Sequence, residues 1–225
     1  MDYFNHTGSD SAHNWQKFLE GDRDALGNIF RQYFPELVAY GTKIIASDDL
    51  VKDHIQELFI RLWEKRSHLG VVLNVKVYLL ISLKNDLLQT IKSNHRNQSG
   101  LDVPNNLFVI SSEDFIIEKE QETELAKRVA ACLEKLTARQ REVIYLRFYL
   151  NLDFPNLAEV MEMNVQSVRN LLFRTLEKMR KEIEDSDIQQ SGNIELILFS
   201  LLGRKNDQNE DASPGFFSCK NETTY

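Results

Sequence analysis

The run Gln166-Ser167-Val168-Arg169-Asn170-Leu171-Leu172-Phe173-Arg174 interleaves side chains able to hydrogen-bond base edges with apolar residues that must be buried. Arg pairs in bidentate fashion with guanine, and Gln or Asn with adenine. Gln166, Ser167, Arg169, Asn170, Phe173 and Arg174, on the exposed N-terminal half of one helix, would therefore suit the major groove of DNA. Lys178, Arg180 and Lys181 lie farther along, where cations reach phosphate rather than bases. Residues 164–181 carry five bases against one acid. A solvated basic helix in a bundle would show the same charges, so the pattern takes its meaning from its surroundings.

Two further sets lie upstream. Asp53, Gln56 and Glu57 fall at i, i+3 and i+4, which places them on one helix face, with Phe59 and Trp63 near the neighbouring seam. Spacing alone favours a plain solvated face there. Lys76, Tyr78, Lys84, Asn85, Lys92, His95 and Arg96 bring cations and an aromatic ring to one segment. Single-stranded bases stack on such rings, and the strand's backbone tracks such cations. Leu79, Leu80, Leu83, Leu87 and Leu88 in the same segment read as a core stripe, and both readings fit on opposite faces of one helix.

Catalytic chemistry finds little support. The five histidines show no His-Glu-x-x-His spacing, and neither a phosphate-cradling glycine loop nor a Gly-x-Ser-x-Gly elbow occurs. The expectation is a non-enzyme without metal or cofactor. Cys132 and Cys219 form no Cys-x-x-Cys pair, which suits a reducing cytosol. The first residues lack the basic and apolar blocks of a signal peptide, and no apolar run reaches the roughly 18 residues of a membrane span. A cytoplasmic protein without membrane insertion is expected. The net charge of −7 is awkward for a self-sufficient nucleic-acid binder, since phosphate contacts supply most non-specific affinity. Charge is segregated, however: residues 110–124 carry a net −5 and residues 184–225 another −5.

The elements that must hold these side chains read as helices. Only nine Gly and four Pro punctuate 225 residues. Apolar residues recur at helical spacing from Trp15 to Tyr40, with Pro35 a kink, and again from Leu50 to Trp63 behind an N-cap at Ser47. Gly70 to Asn74 is a loop, and Val77 to Ile91 is a strongly apolar helix. Residues 98–112 mix Gly, Pro, Asn and Ser and read as linker. Thr137 and Gln140 match a capping box for a helix over 138–149. Asp153 caps 154–161 and Asn164 caps 165–184. Two helices joined by Met161-Glu162-Met163-Asn164, the second of them basic, form a helix-turn-helix. Its seam would be Leu157, Ala158, Met161, Val165, Val168, Leu171, Leu172 and Leu176. Residues 193–203 read as a short helix apolar nearly all round, which water would drive against something; residues 204–225 read as disordered.

Residues 133–181 closely resemble region 4 of sigma-70 family factors of the extracytoplasmic-function group. The matching features are Leu136-Thr137, Gln140 to Val143, Leu146 to Phe148, Leu157 to Val160, Ser167 to Arg169, and Arg174. The first block resembles region 2 of the same family through Gly21 to Leu26, Asp53 to Phe59, Arg61 to Trp63, Tyr78-Leu79, Asn85 and Arg96. Family members usually carry Gly where Glu162 stands, so altered or strained turn geometry is expected.

The resemblance implies an all-α fold of two small helical domains joined by a linker. Their bounds would be 11–98 for the first domain, 99–124 for the linker, 125–184 for the helix-turn-helix domain and 185–225 for an extension. It implies that Asp53, Gln56, Glu57, Phe59 and Arg61 bind core RNA polymerase. Lys76, Tyr78, Lys84, Asn85, Lys92, His95 and Arg96 would then meet the melted −10 element, with a flipped base at loop 68–75. Gln166, Ser167, Arg169, Asn170, Phe173, Arg174 and Lys178 would meet the −35 duplex. Partners would be the clamp and flap of bacterial RNA polymerase, promoter DNA and an anti-sigma factor. The competing expectation is a helix-turn-helix regulator that binds operator DNA without polymerase; a pure protein adaptor is a third.

Overall fold

The computed structural model describes residues 6–98, 108–110, 124–183 and 198, with side chains described from Ser11 to Asn94, at 108–110, from Lys127 to Ile183 and at Leu198. Among these residues every regular element is helical. The linker apart from 108–110 and Glu124, and the extension apart from Leu198, lie outside the described residues, as do the side chains of His95 and Arg96.

Four helices make the first half: α1 (His6–Leu19), α2 (Arg23–Gly41), α3 (Asp48–Lys65) and α4 (Val75–Gln98). Gly21, at φ +99°, turns the chain between α1 and α2 in a conformation that costs a side-chain-bearing residue. Asp22 then caps α2, its carboxylate accepting from the amides of Asp24 at 2.8 Å and Ala25 at 3.2 Å. Ser47 caps α3 as expected, and Asp48 and Asp49 lie in the first turn, where the helix dipole favours acids. The Asn74 side chain accepts from the Val77 amide and so starts α4. Trp15, Phe18, Ile29, Leu37, Val51, Ile55, Leu79, Leu80, Leu83 and Leu87 are all buried and form the core. Gly41 lets α2 meet α3: a Cβ there would lie 2.5 Å from Cγ1 of Val51. The indole of Trp15 donates to the Gly70 carbonyl at 3.1 Å, which ties loop 70–74 to α1.

The second half holds α5 (Glu124–Glu134), α6 (Ala138–Ile144), α7 (Phe154–Val160) and α8 (Val165–Ile183). The Thr137–Gln140 capping box starts α6 as its sequence predicts. The helix expected over 138–149 changes character at Tyr145, where residues 145–149 take wider π-helical bonding, with the Leu150 amide donating to the Tyr145 carbonyl at 3.1 Å. Asn151, at φ 52°, then reverses the chain, and Asp153 caps α7. Asn164 accepts from the Ser167 amide at 2.7 Å and caps α8.

The two halves pack together, α4 against α7. Residues 108–110, expected to be linker, are part of this junction. Phe108 and Ile110 are buried, and the Val109 amide donates to the Lys43 carbonyl at 2.8 Å. The reason is apolar burial: the composition of 98–112 is that of a loop, but Phe108 finds a slot between Tyr40 and Tyr145, with ring centroids 5.7 and 5.5 Å away. Leu198, within the apolar run of the C-terminal extension, is helical and fully buried.

Candidate nucleic-acid interface

The helix-turn-helix is built from its seam outward. Leu157, Ala158, Met161, Val168, Leu172 and Leu176 are buried, while Val165 and Leu171 are half-buried at its edge. Between α7 and α8 the Met163 amide donates to the Ala158 carbonyl at 2.9 Å and the Glu162 amide to the Glu159 carbonyl at 3.2 Å. This is a Schellman ending, with Glu162 in the left-handed position at φ 53°. The strain expected from Glu in place of Gly is thus found at that residue.

Once the seam is fixed, the other face of α8 must be outward. Gln166, Arg169, Asn170, Phe173 and Arg174 are exposed, and Ser167 is half-buried. Phe173 leaves 62% of its surface open to solvent, which an aromatic ring does at a cost unless a partner covers it. The Gln166 amide donates to the Asn170 side chain at 3.1 Å, so the two carboxamides are aligned along the face. The Arg169 guanidinium sits 5.1 Å from the centroid of the Phe154 ring, and Arg147 sits 5.4 Å from the same ring. Phe154 and Arg147 were not among the expected site residues. Phe154 lies fifteen residues before Arg169, and the fold rather than a local pattern brings them together. Lys178 instead donates to the Lys135 carbonyl at 2.8 Å, where it caps the end of α5.

The first half places its sets differently. Asp53, Gln56 and Glu57 are exposed together on α3. Arg61 pairs with Asp86 of α4 and, at 3.6 Å, with Glu57. Phe59 turns into the core and packs edge-on against Phe30 at 5.0 Å. Beside the exposed acidic face runs an open, apolar groove of about 720 Å³ between α2 and α3, lined by Leu26, Phe30, Phe59, Ile60 and Trp63. Ile60, 59% exposed in that groove, is a surface residue that polar spacing could not reveal. Arg23 and Arg66 lie over the Trp63 ring at 5.2 and 4.2 Å.

In the third set, Asn85 and Lys92 are exposed on α4, and Tyr78 is half-buried with its ring 5.3 Å from that of Trp15. Val71 and Leu73 of the adjacent loop are almost wholly solvent-facing. Lys76 and Lys84 are turned toward the second half. Lys84 lies 2.7 Å from Oε1 of Glu142, which the Tyr40 hydroxyl also donates to at 2.9 Å. Burial, and the Glu142 charge beside it, push the Tyr40 phenol well above its ordinary value, so it remains a donor. Among the described residues no cluster of His, Cys, Asp and Glu could hold a metal, and no helix is long and apolar enough to cross a membrane.

Comparison with known proteins agrees with this geometry. Residues 126–179 match the family described as sigma-70, region 4. No curated protein sequence matches the chain. A structure of CnrH in complex with the cytosolic domain of CnrY is similar over 79% of this chain and 99% of that one, at 19% identity and a TM-score of 0.51. At that identity the likeness carries the all-α fold and no more. A structure of the sigma factor RpoE in complex with the anti-sigma factor NepR from Bartonella quintana aligns with 70% of this chain and 95% of that chain, at 17% identity and a TM-score of 0.48.

Proposed function

We propose that this chain, whose residues 126–179 match the family described as sigma-70, region 4, is a member of the sigma-70 family and an initiation factor of the extracytoplasmic-function type. In this reading it binds core RNA polymerase and directs it to promoters in the cytoplasm, and it catalyses nothing itself. The observation that carries the reading is the α7–α8 unit: a helix-turn-helix that the family match covers as far as residue 179, with Gln166, Arg169, Asn170 and Arg174 presented together on its open face.

The division of labour follows from the two halves. The module over 125–184 reads the −35 duplex and meets the polymerase flap. Residues 11–98 form the module that grips the clamp and the melted −10 strand, and 99–124 joins the two. On the first module the exposed Asp53, Gln56 and Glu57 face the clamp, and Ile60 and Trp63 in the neighbouring groove add apolar area. Phe59 supports that face from inside and Arg61 steadies it through Asp86, so neither needs to touch the partner. Asn85 and Lys92 are open to the −10 strand as they stand, and Val71 and Leu73 can meet an unstacked base. The extension over 185–225 lies outside this assignment. An anti-sigma partner would compete for the same faces.

Run-off transcription with purified core enzyme, with and without this chain, tests the reading. The expected result is promoter-dependent RNA only when both are present, and co-elution of the chain with core. A chain that shifts operator DNA by itself and ignores core enzyme is a free-standing regulator, and the reading fails.

A further inference from the structure

The backbone around Phe154 is held by several independent bonds. Asn151 reverses the chain at φ 52°, and the Leu152 amide donates to the Leu146 carbonyl at 3.0 Å. Asp153 accepts from the Asn156 amide at 2.9 Å and so caps α7. Pro155, in the first turn, has its own φ fixed by its ring. The Phe154 side chain is half-buried and packs against the core, so its ring is a firm surface. Two cations meet that ring. Arg147 donates to the Leu152 carbonyl at 2.8 Å, a bond that keeps its guanidinium 5.4 Å from the ring centroid. Arg169 reaches across from α8 to 5.1 Å from the same centroid. Arg174, on the same exposed face of α8, has no aromatic ring under its guanidinium among the described residues.

We infer that Phe154 is a positioning residue for Arg169, and that the selectivity of one base-pair position in the −35 duplex is set by this ring on α7. The inference rests on the −35 assignment made above. An unsupported arginine samples many rotamers and loses them when its fork pairs with a base edge. A ring beside the guanidinium attracts the cation through its quadrupole and removes part of that freedom beforehand. It also narrows the directions from which the planar fork can leave α8. Arg147 narrows them further, because a like charge pinned at the same ring repels Arg169 from that side. Gln166 and Asn170 are held by each other instead, at 3.1 Å, so the influence of the ring is confined to the base that Arg169 reads. Phe154 achieves this without touching a base.

The test uses the full chain with core polymerase and a duplex promoter library randomised across the −35 element. Sequencing of bound and unbound DNA reads the preference at every position. Arg169→Ala first identifies the position that Arg169 reads. There, Phe154→Leu, which removes the ring and keeps an apolar side chain, should weaken the preference about twofold to fivefold, the span of an exposed cation–ring contact. Other positions should stay as in wild type, and Phe154→Tyr, which keeps the ring, should retain the full preference. In an Arg169→Ala background, Phe154→Leu should add nothing. An unchanged preference in Phe154→Leu, an equal loss at all positions, or a further loss on top of Arg169→Ala overturns the inference. If Phe154→Leu fails to fold, NMR relaxation of the arginine side-chain Nε–H groups in the wild-type chain decides, without DNA or polymerase. Arg169 should be more ordered than Arg174 and carry a ring-current shift, and equal disorder overturns the inference. An Arg169→Ala chain with wild-type preference everywhere, or a wild-type complex with no preference at all, withdraws the −35 assignment instead, whereas the relaxation measurement reports on the ring contact alone.

Discussion

Arg169 rests against Phe154, so if it reads DNA as proposed, part of its ordering cost is already met in the free chain. Arg169→Ala or Arg174→Ala should each weaken binding at the cognate −35 site by about 1–3 kcal/mol, roughly tenfold to a hundredfold. Filter binding with core enzyme on cognate and scrambled promoters checks this, and an equal loss on both sequences would assign the residue to phosphate. Lys178 belongs to a different class. Its bond to the Lys135 carbonyl makes it a brace between α5 and α8. The left-handed Glu162 gives a second prediction at this scale: a side chain in that conformation is strained by about 1 kcal/mol, which Gly avoids. Glu162→Gly should raise the denaturant midpoint of unfolding, and a lowered midpoint would mean that the Glu side chain contributes more than its backbone costs.

Helix ends and helix contacts decide what could be read in advance. Ser47, Asp153, Asn164 and the Thr137–Gln140 pair act as caps where expected, because a cap is a bond across two or three residues and its signal is local. The outward set on α8 was legible for the same reason, since burial of the leucines and valine leaves it no other direction. The π-helical turn at Tyr145–Tyr149 was not: it adjusts to packing by side chains distant in sequence, and no local pattern marks it. The partners of Lys76 and Lys84 were equally hidden, lying 74 and 58 residues away in sequence. Phe59 belongs to the apolar stripe read from Leu50 to Trp63, but its partner Phe30 on α2 could not be read from that spacing. The closeness of α2 and α3 depends on Gly41. Gly41→Ala would drive a methyl into Val51, whose β-branched side chain has few ways to retreat. A net destabilisation of about 1–3 kcal/mol is expected in thermal or denaturant unfolding. An unchanged midpoint would show that α2 and α3 can separate freely.

Across the whole chain, the net charge of −7 works against unaided association with DNA, and residues 164–181, with five bases against one acid, run counter to it. Free protein should bind promoter duplex weakly, with tight and specific binding appearing when core polymerase adds its own contacts; fluorescence anisotropy with and without core measures the difference. Tight binding by the free chain would contradict this. Leu198 adds a further expectation, because a fully buried leucine contributes about 1.5–3 kcal/mol. Ending the chain at residue 185 should lower the melting temperature, and an unchanged melting temperature would mean that the extension contributes nothing to the fold.

The contact between Tyr40 and Glu142 joins residues 102 positions apart, and Lys84 reaches as far as Val160. Contacts within the first four helices span much shorter loops, so their closure entropy is smaller and they can form earlier. During synthesis, chains fold from the N-terminus as they emerge. A ribosome still translating this message therefore presents α4 with Lys76 and Lys84 uncovered until α7 has left the exit tunnel. For that interval, the two ammoniums lack the carbonyl partners at Leu150 and Val160 that the finished protein supplies.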